Sequence, residues 1–151
     1  MKKLFLTALV AICTMTAPAQ NKLAGTKTPE EKLNEEYCTG LFKTTEGTIL
    51  DVASNNSAAA YFNILDWLNG RVAGLRVYKT KNGVRIPVIR GQQTSIYVDE
   101  IQVSPGYLNS LASGDIAMIK VIKTPFMGGF NGSGGAIAIY TIGTEEEEEE
   151  E

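Results

Sequence analysis

The chain has 151 residues, of which 44% are hydrophobic and 21% charged, with no histidine and a formal net charge of −3. One domain is the default at this length. The missing histidine excludes Ser-His-Asp and Cys-His catalysis and every histidine-ligated metal site. Residues 20–144 carry 12 Lys+Arg against 10 Asp+Glu, a balance that implies neither nucleic acid nor an anionic membrane as partner.

Both termini stand apart from the rest. Lys2 and Lys3 precede a short apolar run, Leu4–Cys13, and Ala17 and Ala19 follow in an A-x-A arrangement. This is the pattern of a secretory signal peptide cut after Ala19. The run is too short to span a bilayer, which takes about 20 apolar residues. Ile12 stands where a lipid-attachment site before Cys13 would need a small residue. At the other end, Glu145–Glu151 is an unbroken run of glutamates. It reads as a disordered, solubilising tail, native or added. The alternatives are a docking tail for a basic partner and a weak calcium site, and calcium would need a loop that curls its ligands inward. Once Cys13 leaves with the signal peptide, Cys38 stands alone, unpaired or bonded to another chain. Nothing near it in sequence activates the thiol, which favours the unpaired form.

Thr28-Pro29-Glu30-Glu31 is a helix start, with Thr28 as N-cap, Pro29 at the first helical position and Glu31 completing a capping box. That helix is expected to end near Tyr37, with Gly40 as its stop. Thr48–Val52 favours a strand. Ser54–Ser57 can cap the next helix, on which Tyr61, Ile64, Leu65 and Leu68 form one apolar stripe and after which Gly70 fits a left-handed position. Trp67 flanks the stripe and reads as core rather than as a partner contact. Leu75–Tyr78 is a strand, and Lys79–Gly83 with Asn82-Gly83 is a hairpin turn. Val84, Ile86 and Val88 alternate with Arg85, Pro87 and Ile89, and Pro87 points to a sheet edge or a bulge. Thr94–Val98 is the next strand, Asp99-Glu100 starts a turn, and Pro105–Leu111 can form a short helix. Ile119–Ile122 is a buried or half-buried strand, Phe126–Gly135 a glycine-rich turn, and Ala136–Ile142 a last strand.

No set of these residues makes a catalytic centre. Asp99 and Glu100 are adjacent, so in an extended chain their side chains would face opposite ways. They read as turn and surface carboxylates. The glycines of 128–135 lack the G-x-x-x-x-G-K-[ST] pattern of a phosphate loop, and a strand rather than a helix follows them. Arg71, Arg76, Arg85 and Arg90 could hold an anion, but their spacing singles out no ligand site. No cofactor and no metal site are expected. An enzyme would need convergent groups that the sequence does not supply.

The order of five segments resembles the plug domain of TonB-dependent outer-membrane transporters, in particular the starch-utilisation type. The family's "GRVAG" segment and following strand are matched by Gly70-Arg71-Val72-Ala73-Gly74 and Leu75-Arg76-Val77. Its "IRG" is matched by Ile89-Arg90-Gly91. Its "YVDG" is matched by Tyr97-Val98-Asp99-Glu100, with glutamate in the place of glycine. Its "DIESIEVLKGP" is similar to Asp115 through Lys123-Thr124-Pro125, and its "YGSRGANGVI.I.T" to Phe130 through Gly132, Gly134, Gly135 and on to Thr141. The loop before the IRG strand is shortened here to Lys79–Gly83. Glu46–Val52 has a loose likeness to a TonB box, and an ordinary strand accounts for the same residues.

The resemblance implies an α/β (α+β) fold, a small mixed β-sheet with two or three short helices. In the family this plug sits inside a 22-stranded barrel, blocks its pore, helps form the ligand site and moves when TonB pulls. The expected organisation is a signal peptide at 1–19, a polar segment with a short helix at 20–47, a plug-like domain at 48–144 and the poly-Glu tail at 145–151. The family-motif positions Gly70, Arg71, Gly74, Arg90, Gly91, Tyr97, Asp99, Asp115, Lys123, Gly132, Gly134 and Gly135 are expected to be mainly structural, and Cys38 is the candidate intermolecular thiol. With no barrel strands after the last motif, the expected role is that of an exported, non-enzymatic, stand-alone binding or accessory module of an outer-membrane nutrient uptake system. It would reside in the periplasm or at the outer membrane, and its partner would be a barrel transporter or a surface lipoprotein, through which any membrane association would run. The alternative is a protein–protein interaction domain or transporter remnant with no transport role.

Overall fold

The computed structural model describes residues 27–126 and 132–143. The expected signal peptide, the poly-Glu tail and residues 127–131 of the glycine loop lie outside the described residues.

Helix α1, Pro29–Tyr37, starts as its sequence dictates. The Thr28 hydroxyl accepts the Glu31 N–H at 3.2 Å, and the Glu31 carboxylate accepts the Thr28 N–H at 2.9 Å. The helix ends at Tyr37 with Cys38 extended. Gly40, expected as the stop, instead opens a second helix, α2 (Gly40–Thr44), at φ +44°. Glycine takes that conformation without steric cost, so the chain reverses there and resumes. The two helices are tied together, because Asn34 Nδ2 donates to the Lys43 carbonyl at 3.0 Å.

Strand β1 (Thr48–Asp51) follows, and then a loop leads to α3 (Ile64–Leu68). This helix is shorter than the apolar stripe suggests, and its cap is Asn63, not Ser54–Ser57. The Asn63 carbonyl oxygen accepts the Leu65 N–H at 3.0 Å, and its amide donates to the Leu108 carbonyl at 3.1 Å. A fully buried amide that can both cap and cross-link fixes the start, and leaves Tyr61 outside the helix. Gly70 takes φ +86°, as expected after the last turn.

Strands β2 (Leu75–Lys79), β3 (Arg85–Ile89) and β4 (Gln92–Gln93) form a small antiparallel sheet in that order. Pro87 therefore lies in the middle strand and is buried, not at an edge. The sheet tolerates it because β4 is short. The Thr94 N–H donates to the Pro87 carbonyl at 3.1 Å, and only the reciprocal bond is lost where β4 has already ended. Strands β5 (Ser95–Val98), β6 (Ile101–Val103), β7 (Ile116–Ile122) and β8 (Ala136–Thr141) join β1 in a five-stranded sheet ordered β1-β7-β8-β5-β6. The β5–β8 pair is parallel and the other pairs are antiparallel. The sheet is thus mixed, as expected. Short 3-10 turns at Pro105–Asn109 and Ser113–Asp115 link β6 to β7.

Every residue of β7 is buried because both sheet faces are covered. Ile116, Ile119, Val121, Ile137 and Ile139 pack with α3, Leu108, Leu75 and Ile89. Met118, Ile122, Ala138 and Tyr140 pack with Cys38 and Phe42. Ile116 shares a face with Ile119 because the ladder is irregular between Ile116 and Met118. The described part of 20–47 holds α1 and α2 and covers one sheet face.

The glycine loop ends in a backbone crossing. A Cβ on Gly134 would lie 2.4 Å from the Gln93 carbonyl oxygen, and one on Gly135 2.1 Å from that of Ile122. Only glycine fits where strand backbones approach so closely.

Candidate functional site

The motif residues do not converge on one pocket. Gly70 and Gly74 are left-handed turns on either side of Val72. Arg71 lies over Trp67, its guanidinium carbon 4.5 Å from the ring centroid, and donates to the Trp67 carbonyl at 2.5 Å. Trp67 itself is buried and donates its indole N–H to the Ser57 hydroxyl at 2.9 Å. Arg90 and Gly91, at φ +53° and +81°, are the two residues of the tight turn between β3 and β4. Tyr97 is buried, and its hydroxyl has no hydrogen-bond partner among the described residues. Asp115 is exposed and accepts the Ile142 N–H on its backbone carbonyl at 2.8 Å. Lys123 is half-buried just after β7. Gly132 and Gly134 bound the 3-10 turn before β8, and Gly135 follows it.

Asp99 and Glu100 form the second two-residue turn, between Val98 and Ile101, at φ +47° and +66°. Such hairpin turns need positive φ at both positions, which is why the second is usually glycine. Because the turn is left-handed, the two carboxylates are not splayed to opposite faces as an extended chain would have them. Asp99 accepts the Thr141 N–H and hydroxyl, each at 2.9 Å. Glu100 accepts the Thr39 N–H at 2.6 Å, the Thr39 hydroxyl, and the Tyr140 hydroxyl at 3.1 Å. One turn thus pins the end of β8 and the corner between α1 and α2.

Cys38 sits behind this corner, 2% exposed and free. The thiol is favoured as unpaired by the sequence and is buried here, so a disulfide to another chain would need the corner to open. Burial pushes the thiol pKa up, the opposite of what an activated cysteine requires. Burial also raises the Tyr140 phenol, helped by Cys38 and by Glu100. Under the same helices lies Lys120, the one buried cation among the described residues. Its ammonium donates to the Asn34 side-chain oxygen at 2.6 Å and to the Phe42 carbonyl at 2.5 Å, with no carboxylate of the described residues in salt-bridge range. Burial lowers its pKa.

Thr39, Lys120 and Tyr140 were not singled out by sequence reasoning. The available signals were a glutamate at a glycine position of a tight turn and a lysine in the middle of an apolar strand. The described residues also line open clefts. One of about 420 Å³ includes Asn34, Glu46, Ile49 and Lys120. One of about 360 Å³ lies beside Tyr61 and Phe62, the latter 78% exposed. One of about 310 Å³ runs past Tyr37, Thr39, Glu100 and Tyr140. Among the described residues no group of three or more His, Cys, Asp or Glu is placed to hold a metal ion, and no helix is long and apolar enough to cross a membrane. Glu46–Val52 is mostly edge strand β1, paired antiparallel with β7.

No known family model matches the chain, and no curated protein matches it by sequence. Solved structures do match in fold. The siderophore receptor PirA from Acinetobacter baumannii superposes with a TM-score of 0.55 at 20% identity, covering 80% of this chain and 19% of the receptor. The RagAB peptide importer in its open-open state gives 0.54 at 22% identity, covering 64% of this chain and 12% of that one. The ferric enterobactin receptor PfeA from Pseudomonas aeruginosa, in complex with enterobactin, gives 0.53 at 21% identity, covering 64% and 17%. The chain has the fold of the plug-like region of TonB-dependent receptors and spans less than a fifth of their length.

Proposed function

We propose that this domain is a non-enzymatic, plug-like binding module of a TonB-dependent nutrient uptake system in the outer membrane. The observation that carries the reading is the fold match to three outer-membrane receptors and importers, each over less than a fifth of its chain. The five ordered motifs that resemble the starch-utilisation type support a place among the uptake systems of that type. Their residues build the tight turns and backbone crossings of the fold, so the motifs act as architecture and leave the ligand open. In this reading the domain is exported, and its partner is an outer-membrane barrel or a surface lipoprotein.

The test is affinity purification of the tagged protein from detergent-solubilised envelopes of its own host, with the bound proteins identified. Recovery of a barrel transporter or its lipoprotein is the expected result. Recovery of the protein alone, as a soluble periplasmic species, would overturn the reading and favour an interaction domain without a transport role.

A further inference from the structure

We propose that α1 and α2 form a hinged flap, latched to the sheet by Glu100, that opens as a unit while both sheets stay folded. Four observations lead there.

The flap is internally tied, by Asn34 to the Lys43 carbonyl at 3.0 Å and by Lys43 Nζ to the Glu35 carbonyl at 3.4 Å. Its buried side chains are few, Cys38 at the corner and Phe42 of α2, with Leu33 and Tyr37 of α1 partly buried against the same core. Among the described residues its polar ties to the sheet include two charged side chains, each reaching neutral groups on the flap, beside a side-chain contact between Tyr140 and Cys38. Lys120 holds Asn34 and the Phe42 carbonyl, and Glu100 holds Thr39. Finally, Glu100 adopts φ +66°, which glycine would adopt freely and a residue with a Cβ adopts at a cost. A turn that needs only to turn gains nothing from glutamate there. The carboxylate is what glutamate adds, and it takes three hydrogen bonds from two elements. Strain held at one residue and repaid by contacts to a separate element is the arrangement expected of a latch.

Opening would hydrate Lys120, whose charge is costly to bury without a counter-ion. It would also uncover Cys38, Tyr97 and Phe126, which the flap's Phe42 covers through ring contacts of 5.0 Å to Tyr97 and 4.8 Å to Phe126. The device rests on the sequence of this chain and not on the uptake role proposed above.

Cys38 reports the motion, because it can react only when the flap is open. With Cys13→Ser in the full chain, Cys38 is the only thiol. The rate of its reaction with N-ethylmaleimide is measured across sub-denaturing urea concentrations and compared with global unfolding followed by tryptophan fluorescence. The latch predicts a labelling rate with a much shallower urea dependence than global unfolding, since a local opening exposes less surface. It also predicts at least a tenfold faster reaction in Glu100→Gly and in Thr39→Val, while the global midpoint changes little. Glycine suits the turn, so the first variant folds. Labelling that follows global unfolding in the parent, or that is unchanged in both variants, would overturn the proposal. The same labelling result with no envelope partner recovered would leave the flap standing and remove only the transport reading.

Discussion

On one face of the five-stranded sheet, Ile116, Ile119, Val121, Ile137 and Ile139 meet α3 and the small sheet. On the other, Met118, Lys120, Ile122 and Tyr140 meet α1 and α2. The first face is aliphatic around one indole, and its buried polar group, Asn63, is neutral and satisfied within the core. The second mixes rings in tilted and edge contacts with a cysteine, a phenol, a lysine and a glutamate. Apolar burial is non-directional and accumulates with area. Charged hydrogen bonds are strong only while their geometry holds. The difference makes the first face the fold's foundation and the second a cover that can be released from it.

The largest test of that contrast is Trp67→Ala. Trp67 is 1% exposed and packs in the first core, so its loss is expected to cost about 4 kcal/mol of global stability, read as a lower urea midpoint. Phe42→Ala removes a comparable ring from the second face. Its expected global cost is smaller, about 2 kcal/mol, because the flap's own opening energy sets a ceiling on what its contacts can contribute. Equal costs would show that the two faces unfold as one unit.

The same contrast governs what could be read in the sequence. Leu75, Val98, Ile137 and Ile139 announce their strands by alternation and β-branching, and Trp67 announces the core by size. Asn63 was missed as a cap because the apolar stripe begins earlier, at Tyr61, and only the distant Leu108 carbonyl makes Asn63 the better choice. Pro87 suggested an edge because a proline breaks a ladder. It can sit in the middle strand because the neighbouring strand stops one residue short, which no local pattern shows. The flap was hidden for a deeper reason. Its ties join Thr39 to Glu100 and Asn34 to Lys120, across stretches that share no periodicity, so Glu100 reads as a surface carboxylate and Lys120 as one more residue of its strand.

The next effect is the alkaline limit. Burial raises the Cys38 thiol in the folded protein, whereas an unfolded thiol titrates at about 8.5. A raised acid contributes stability that is complete below the unfolded value and is lost as pH climbs toward the folded one. The urea midpoint should therefore fall between about pH 8 and pH 10, and fall less in Cys38→Ala. Lys120, lowered by burial, works in the opposite sense as pH approaches the ordinary lysine value of about 10.4. Removing it with Lys120→Met should steepen the decline. A decline of unchanged slope in both variants would place the alkaline sensitivity in groups other than Cys38 and Lys120, the raised Tyr140 phenol first among them.

The smallest effect is the most specific. Glu100→Ala loses the carboxylate but keeps a Cβ at φ +66°, whereas Glu100→Gly loses the carboxylate and relieves the turn. Their difference isolates the strain of the left-handed conformation, about 1 kcal/mol in favour of glycine, reduced somewhat by glycine's greater freedom in the unfolded chain. The glycine variant should then lie within about 0.5 kcal/mol of the parent in global stability, because what it loses at the latch it partly regains at the turn. A glutamate at this position is therefore nearly neutral for the fold as a whole and decisive only for whether the flap is closed. If the alanine variant proves as stable as the glycine one, the turn holds no strain. The carboxylate at Glu100 would then be an ordinary surface anchor, and the second face no more releasable than the first.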